Sequence, residues 1–208
     1  MDVTTQRLRA CGIAAGPLFL TMWAAQAFTR DGFDPSRHPL SLLALGSMGW
    51  IQIANFVVTG ALFAAAAAGL RDEGRWLPRF VGAFGAGLVL AGVFVTDPGA
   101  GFPAGAPDGR ADPSWHGVLH EVGFGVAQFA WIAAAVAVAK RGTRLSRWAT
   151  VATIALALAV AGWPDLDSLS VRLVVATAIQ FTLLAVVCIQ PPAPSGVTRV
   201  TRVLAGDA

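Results

Sequence analysis

The sequence predicts an all-α fold, a polytopic integral membrane protein built as a bundle of six transmembrane helices. Two observations carry this prediction. Of the 208 residues, 55% are hydrophobic and only 13% are charged, whereas soluble domains carry about 25% charged residues. The apolar residues also gather in six runs that approach the roughly 20 residues needed to cross a bilayer. A water-soluble fold is therefore not expected.

Each predicted helix is an apolar run between breaks formed by charged residues or by Pro and Gly. Gly16-Pro17 in the first run is a kink of the kind that membrane helices tolerate. Residues 1–190 are expected to form a single transmembrane domain, and residues 191–208, which begin with a Pro-rich stretch, a disordered cytoplasmic tail. The predicted spans are Ala10–Phe28, Trp50–Leu70, Phe80–Thr96, Trp115–Ala139, Trp148–Trp163 and Val171–Ile189.

Loop charges predict the orientation of these helices. If the spans alternate in direction, 11 of the 15 Lys and Arg residues share the side of the N-terminus, whereas 8 of the 12 acidic residues and all 3 histidines lie on the other side. The positive-inside rule then places both termini in the cytoplasm, in a plasma-membrane protein. The basic residues are spread over helix ends and form no single stripe, so the lipid bilayer, and not nucleic acid, is the predicted partner.

The first apolar run permits a second interpretation. Arg7 and Arg9, the apolar residues that follow them, and Ala25-Gln26-Ala27 resemble a cleavable signal peptide. Cleavage would leave five spans and an external N-terminus, and the histidines would stay on the outer side. We expect the first helix to be retained.

The segment Ser114–Glu121, at the outer start of the fourth span, is the strongest candidate for chemistry. His116 and His120 are four residues apart and share one helix face, as the ligands of a metal-binding helix do, and Ser114 is a candidate N-cap. With a rise of about 1.5 Å per residue, His120 lies only about 8 Å below Trp115, within reach of a molecule from the outer leaflet. The positive helix N-terminus favours neutral imidazoles, which ligate metals or act as bases.

Zinc or another divalent metal is the cofactor that such a pattern would take, but two histidines do not complete a zinc site. The third ligand would come from His38, Asp112, Asp97 or a carboxylate of the fifth loop. The candidate metal set is therefore His116, His120, His38 and Asp112. A structural hydrogen-bond network around the histidines is the alternative, and it is the preferred one.

Two carboxylates join the histidines as candidate catalytic residues. Glu121 lies inside a predicted span, where a carboxylate is costly unless it faces a cavity or a partner. Glu121 and Asp97 are therefore candidates for proton transfer, with His116 and His120 as bases. An ion pair with a neighbour such as Arg172, or a position near the interface, is the structural alternative for Glu121.

Four further residues are candidates for substrate binding. Arg110 and Arg172, both on the outer side, suit a phosphate or carboxylate headgroup. Trp115 lies at the predicted interface, and Asn55 is a polar residue within the second span. For Asn55, hydrogen bonding between helices is the alternative role.

Two outer segments have open interpretations. The loop Thr96–Gly109 is dense in Pro and Gly, so it either caps a cavity in an ordered form or connects two helices loosely. The apolar stretch Ser41–Leu45 is too short to span a bilayer, and we expect it to lie on the membrane surface or to re-enter the membrane.

Several of these segments together resemble one known family. Gly49–Phe56, Asp97-Pro98 with Gly101-Phe102-Pro103, and Ser114–Gly117 with His120 are similar to the bacterial family catalogued as domain of unknown function 998, which is common in actinobacteria. The resemblance extends from the first span to the sixth. It implies a six-helix integral membrane protein, and it implies no activity whose residues can be carried over.

The leading hypothesis is a membrane-embedded enzyme of the metal-dependent hydrolase type, with an outward-facing site for an amphipathic, lipid or isoprenoid-like molecule. Acid-initiated isoprenoid or terpene cyclisation, small-solute or proton-coupled transport, and service as a membrane assembly subunit are the alternatives. Transport is disfavoured because residues 1–97 and 98–208 show no convincing repeat.

Overall fold

The computed structural model describes residues 1–109, 112–142, 144–162 and 168–190. Over these ranges the chain is all-α, as predicted, and forms a helical membrane bundle of six α-helices. The predicted tail, residues 191–208, lies outside the described ranges. The helices are α1 Val3–Thr29, α2 Gly49–Gly69, α3 Leu77–Val93, α4 Trp115–Ala139, α5 Arg144–Ala161 and α6 Leu169–Ile189.

The start of α1 differs most from its predicted span. The helix begins at Val3, seven residues before the apolar run at Ala10. Asp2 caps it by accepting a hydrogen bond from the Thr5 N–H at 2.6 Å. A capped polar turn precedes the apolar part of the helix, and hydropathy does not register such a turn.

Four of the six helices, α1, α2, α4 and α6, are long and apolar enough to cross a membrane. Helix α3 has 17 residues, and the apolar part of α5 runs only from Arg147 to Ala161. At about 1.5 Å per residue, α3 is about 26 Å long, slightly less than a hydrocarbon core of about 30 Å. Crossing by all six helices therefore stays a prediction.

The helices pack mainly against their neighbours in sequence. Helix α2 lies between α1 and α3, α3 packs on α4, and α6 joins α1 to α5. The start of α1 meets the end of α6, where Arg9 Nη1 donates to the Gln190 carbonyl at 2.5 Å. We call this end of the bundle the terminal end. The opposite end, which carries the α1–α2 connection and the α3–α4 loop, is the loop end.

Phenylalanine rings from four helices form the centre of the core. Phe19 of α1 contacts Phe56 of α2 and Phe181 of α6, with ring centroids 5.3 and 5.4 Å apart. Phe63 and Phe84 extend the cluster to α3, with centroids 5.0 Å apart. Most of these pairs meet edge to face, the arrangement that aromatic quadrupoles favour.

Helices α3 and α4 approach closely because each carries a glycine at the contact. A Cβ added at Gly87 would lie 2.6 Å from the Ala127 nitrogen, and one added at Gly123 would lie 2.6 Å from the Ala91 nitrogen. Such contacts are too short for any side chain, so the helices are in backbone contact, as small residues allow in membrane bundles. This approach fixes the end of α3 against the start of α4.

The two connections at the loop end form an apolar cap. Leu42 and Leu43, on the 3₁₀ helix Leu40–Ala44, are buried with Phe33 and Phe102. The leucines of this segment find apolar partners inside the protein, so the segment forms part of a buried cap. Its position relative to the membrane stays a prediction. For the α3–α4 loop, the buried Phe102 favours the capping interpretation over a loose connector.

Candidate functional site

The last turn of α3 and the start of α4 together position two histidines. His120 Nδ1 donates to the Ala91 carbonyl at 2.7 Å and lies 3.1 Å from that of Phe94. His116 Nδ1 donates to the Val95 carbonyl at 3.0 Å. Carbonyl groups at a helix C-terminus lack helical partners, and these imidazoles satisfy them. The structural alternative for the histidines, a hydrogen-bond network, is thus present.

His120 retains one unused nitrogen despite this structural role. Because a carbonyl can only accept, Nδ1 carries a proton, and in the neutral form of the ring Nε2 is the nitrogen with the lone pair. Nε2 makes no hydrogen bond to any described residue, and His120 as a whole is only 5% exposed. The ring meets Phe56 edge to face, with centroids 6.3 Å apart. A neutral imidazole held this way can accept a proton or ligate a metal ion through Nε2.

Asp97 is held by Ser114, the N-cap residue of α4. The Ser114 hydroxyl donates to Asp97 Oδ1 at 2.5 Å, and the Ser114 N–H donates to Oδ2 at 2.9 Å. The hydroxyl hydrogen bond above all, helped by the N–H and by the nearby His116 and His120, holds the pKa of Asp97 below its usual value, although partial burial opposes the shift. Asp97 is therefore an anion at neutral pH, close to both imidazoles.

Gly117 makes room for this carboxylate. A Cβ added at Gly117 would lie 1.9 Å from Asp97 Oδ2. The Gly117 N–H also donates to Ser114 Oγ at 3.1 Å, which completes the N-cap. Of the natural residues, only glycine fits here without displacing Asp97.

Asp97, Ser114 and His116 lie together, but their arrangement is not that of a serine nucleophile. Ser114 Oγ is 3.0 Å from His116 Nδ1, and its own hydroxyl hydrogen bonds Asp97. An activated serine donates its proton to a histidine base. Here the carboxylate receives that hydrogen bond, so Ser114 acts as a cap and as the holder of Asp97.

The other predicted site residues on α4 and in the loop just before it lie on the surface. Trp115 is 71% exposed and packs beside Phe94 and His116, with ring centroids 5.9 and 5.5 Å away. Asp112 and Glu121 are exposed as well. The structure therefore groups Asp97, His116 and His120, whereas the carboxylate of Glu121 belongs to the outer surface of the bundle.

His38 lies in the cap, where both of its ring nitrogens are engaged. Nδ1 accepts from the Asp34 N–H at 2.9 Å, and Nε2 donates to the Ala100 carbonyl at 3.0 Å. The His38 carbonyl accepts from the Ser170 hydroxyl at 2.5 Å. His38 thus joins the two connections of the loop end to the start of α6, which is a structural role.

The four predicted metal ligands do not assemble. His116 and His120 share a face as predicted, but His38 is engaged in the cap and Asp112 is exposed. Within the part of the chain that the structure describes, no three His, Cys, Asp or Glu side chains are grouped so as to hold a metal ion. The fifth-loop carboxylates that could supply the third ligand, Asp165 and Asp167, lie outside the described residues, so the zinc site stays a prediction.

The two arginines predicted to bind substrate have different outcomes. Arg172 is buried, its Nε donates to Ser168 Oγ at 3.0 Å, and Nη1 lies 3.3 Å from the Ala161 carbonyl. These hydrogen bonds connect the start of α6 to the end of α5. The Arg172 guanidinium is therefore used between these two helices and does not join His116 and His120. Arg110 lies outside the described residues.

Asn55, predicted to bind substrate or to join helices, belongs to a buried cluster of uncharged polar side chains. Asn55 Nδ2 donates to the Phe19 carbonyl at 3.1 Å and to Gln52 Oε1 at 3.2 Å, and Gln26 Nε2 donates to the same Gln52 oxygen at 2.9 Å. Several buried atoms of this cluster have no hydrogen-bond partner in the described structure, namely Trp23 Nε1, Gln26 Oε1, Gln52 Nε2, Asn55 Oδ1 and Thr59 Oγ1.

One signal of this cluster was visible in the sequence. Gln52, Asn55 and Thr59 are spaced by three and four residues, which places them on one face of α2. The contact of these residues with Gln26 of α1 is seen only in the tertiary structure. Unpaired buried polar groups are rare in proteins, so the cluster, which we call the amide cluster, is a second candidate for binding.

The family model described as Protein of unknown function (DUF998) matches residues 13–195. The chain belongs to this family. No curated protein and no solved structure matches the chain. Membership in DUF998 assigns no activity to the chain.

Proposed function

We propose that this chain is a six-span plasma-membrane protein, with both termini in the cytoplasm, that acts as a hydrolase on an amphipathic molecule from the outer leaflet. The observation that supports this proposal is the state of His120. Its Nδ1–H is fixed by backbone carbonyls, its Nε2 is unused, and the Asp97 carboxylate lies nearby. A positioned neutral imidazole near an anion is the usual equipment of a general base.

In the proposed reaction His120 Nε2 takes a proton from a water molecule, and the water oxygen attacks the carbonyl or phosphoryl centre of the substrate. The bond to the leaving group breaks, and the imidazolium returns its proton to that group. The ionised Asp97 favours the transient imidazolium by its negative charge. General acid–base catalysis of this kind contributes about 10²–10⁴-fold to a rate.

The surroundings of His120 suit an amphipathic substrate. Trp115 is exposed at the start of α4, where an aromatic residue can anchor at the membrane surface. In the proposal, Arg110 supplies the charge for a headgroup, because Arg172 is committed to α5 and α6. A divalent metal held by His116 and His120 is a variant of the same proposal, with Asp97 as the nearby carboxylate that would have to turn toward it.

The test uses purified protein in nanodiscs, a panel of fluorogenic lipid esters, amides and phosphate esters, and metal analysis. We expect turnover by the wild type and a loss of at least 100-fold in His120→Gln, which keeps polarity but removes the base. Trp50→Phe, at an exposed position on α2, is the matched control and should retain activity.

Equal turnover by His120→Gln and the wild type would reject His120 as the base. Stoichiometric zinc that disappears in a His116→Ala, His120→Ala double variant would favour the metal variant of the proposal. A wild type that hydrolyses no compound of the panel would remove the hydrolase proposal for those bonds.

The amide cluster favours a second candidate, a carrier for a small neutral solute. Its unpaired atoms include both donors and acceptors and carry no formal charge, so they match a hydroxyl or carboxamide better than an ion. In this proposal the observed arrangement is a closed state, since those atoms have almost no exposed surface. Uptake of radiolabelled polyols and amides into proteoliposomes tests it, and Asn55→Leu should abolish uptake whereas His120→Gln should not.

A further inference from the structure

An elongated cleft runs along α5 and α6 from the terminal end toward the middle of the bundle. Its volume is about 760 Å³, within the roughly 300–1,000 Å³ of ligand-binding pockets. On α6 it extends from Val175 to Gln190, which at about 1.5 Å per residue corresponds to roughly 22 Å. One leaflet of a bilayer contributes about 15 Å of hydrocarbon, so the cleft is long enough for one lipid chain.

The walls of the cleft are apolar even where the side chains are nominally polar. Leu156 of α5 and Ile179 and Leu183 of α6 line its length. Thr153 and Thr182 also line it, but their hydroxyls donate to the carbonyls four residues earlier in their own helices, at 2.8 and 2.7 Å. With the hydroxyls satisfied in this way, these threonines require no polar partner in the cleft.

The mouth of the cleft, at the terminal end, is charged. Glu73, Arg141 and Gln190 line it. Glu73 forms a close ion pair with the buried Arg9, which also donates to the Gly69 and Gln190 carbonyls. Arg141 Nη1 is 3.7 Å from the other Glu73 oxygen, and its side chain is 31% exposed. Among the described residues at the mouth, Arg9 and Arg141 share the Glu73 carboxylate. This leaves an excess of one positive charge, carried by the more exposed Arg141.

We propose that this cleft binds one hydrocarbon chain of an anionic phospholipid whose phosphate lies against the Arg141 guanidinium. A phosphate supplies the charge that Glu73 cannot, because Glu73 is already paired with Arg9, and guanidinium groups bind phosphate oxygens in a forked geometry. The apolar length of the cleft and the charge at one end match the two parts of such a lipid. The site is at the opposite end of the bundle from His120 and does not depend on the proposed hydrolase.

The test measures which lipid the protein retains. Delipidated wild-type protein is incubated with vesicles of equimolar phosphatidylglycerol and phosphatidylcholine with identical chains, repurified, and examined by native mass spectrometry. We expect about one phosphatidylglycerol per chain, at least fivefold less in Arg141→Gln, and retention in Arg141→Lys, which keeps the charge. Arg147→Gln, which removes an exposed charge outside the cleft, should behave as the wild type.

A second pair of variants tests the cleft itself. Ala178→Phe places a ring in the cleft, whereas Ala152→Phe places one on the exposed face of α5. We expect only Ala178→Phe to lose the lipid, with both variants eluting as folded protein. Equal retention of the two lipids by the wild type, equal retention of phosphatidylglycerol by Arg141→Gln, loss in neither Phe variant, or a protein dimer without lipid would overturn the proposal.

Discussion

Asp97 accepts two hydrogen bonds from Ser114, and this makes its carboxylate part of the N-terminal cap of α4. The sequence predicted Ser114 as the N-cap, which the structure confirms. It did not predict that Asp97, 17 residues earlier, would be held by that residue. The same holds for His120, whose carbonyl partner at Ala91 is 29 residues away. Residue type and spacing predict which side chains share a helix face. Which atoms those side chains contact depends on the position of a neighbouring helix.

The lowered pKa of Asp97 gives a pH-dependent contribution to stability. Because the carboxyl loses its proton more readily in the folded protein, its stabilising effect is present above its ordinary pKa of 3.8 and is lost as the pH falls through the lowered value. We expect Asp97→Asn to lower the free energy of unfolding at pH 7 by about 1–2 kcal/mol. The loss should shrink toward the acid end of the range.

Unfolding titrations with SDS at several pH values, followed by tryptophan fluorescence, measure this difference. Asp112→Asn, at an exposed position near the same loop, is the control and should leave stability unchanged. A difference between Asp97→Asn and the wild type that stays constant from pH 7 to pH 3 would contradict the assignment.

At the scale of elements, the contact between α3 and α4 determines where the histidines lie. Gly87 and Gly123 let the two backbones touch, and the carbonyls of Ala91 and Phe94 thereby come within hydrogen-bond distance of α4. Glycine suits close helix packing in membranes, but the sequence does not show which glycines meet, because the chain has 23 of them.

Adding a methyl group at this contact should separate the helices. We expect Gly87→Ala and Gly123→Ala each to lower the free energy of unfolding by about 1–3 kcal/mol, the usual cost of overpacking. Gly125→Ala is the matched control, since a Cβ there meets no atom within 4 Å. It should be neutral or stabilise α4 by about 0.5–1 kcal/mol through its helix propensity.

Thermal unfolding in detergent ranks the three variants. Imidazole nitrogen chemical shifts would report in addition whether His120 keeps its proton on Nδ1. Equal stability of Gly123→Ala and Gly125→Ala would mean that the two helices tolerate a wider separation than the close contact implies.

At the scale of the whole molecule, the charges of the terminal end connect helices distant in sequence. Arg9 of α1 pairs with Glu73, between α2 and α3, and donates to Gln190 at the end of α6. Arg141, after α4, lies near the same carboxylate. The loop charges of the sequence predict that Arg9, Glu73 and Arg141 lie on one side. Their mutual contacts depend on the packing of the helices.

Removing one partner of this buried pair should be costly. We expect Glu73→Gln to lower the free energy of unfolding by about 3–5 kcal/mol, because Arg9 is then left buried without a counter-ion. Asp72→Asn changes the neighbouring exposed carboxylate and should have little effect. SDS unfolding compares the two, and an effect of Glu73→Gln no larger than that of Asp72→Asn would show that the carbonyl partners alone suffice for Arg9.

The proposed six-span topology makes a prediction of its own. Green fluorescent protein fused after Gly142 or at the C-terminus should be fluorescent in bacteria, and alkaline phosphatase inserted after Gly109 should be active. These results follow from the positive-inside rule applied to the loop charges. An active alkaline phosphatase at the C-terminus would invert the orientation or change the number of spans, and would move His120 away from the outer leaflet.

The sequence by itself determined the all-α class, approximate helix bounds, and the histidine pair on one face of α4. These properties depend on local composition and on the 3.6-residue period, which a single chain segment carries. Tertiary structure decided that His38 belongs to the cap, that Asp97 is held by Ser114, and that Glu121 is exposed. The cleft beside Arg141 is likewise formed only by the packing of several helices. Those features depend on contacts between segments that packing brings together. The hydropathy and residue spacing of one segment do not show where another segment lies.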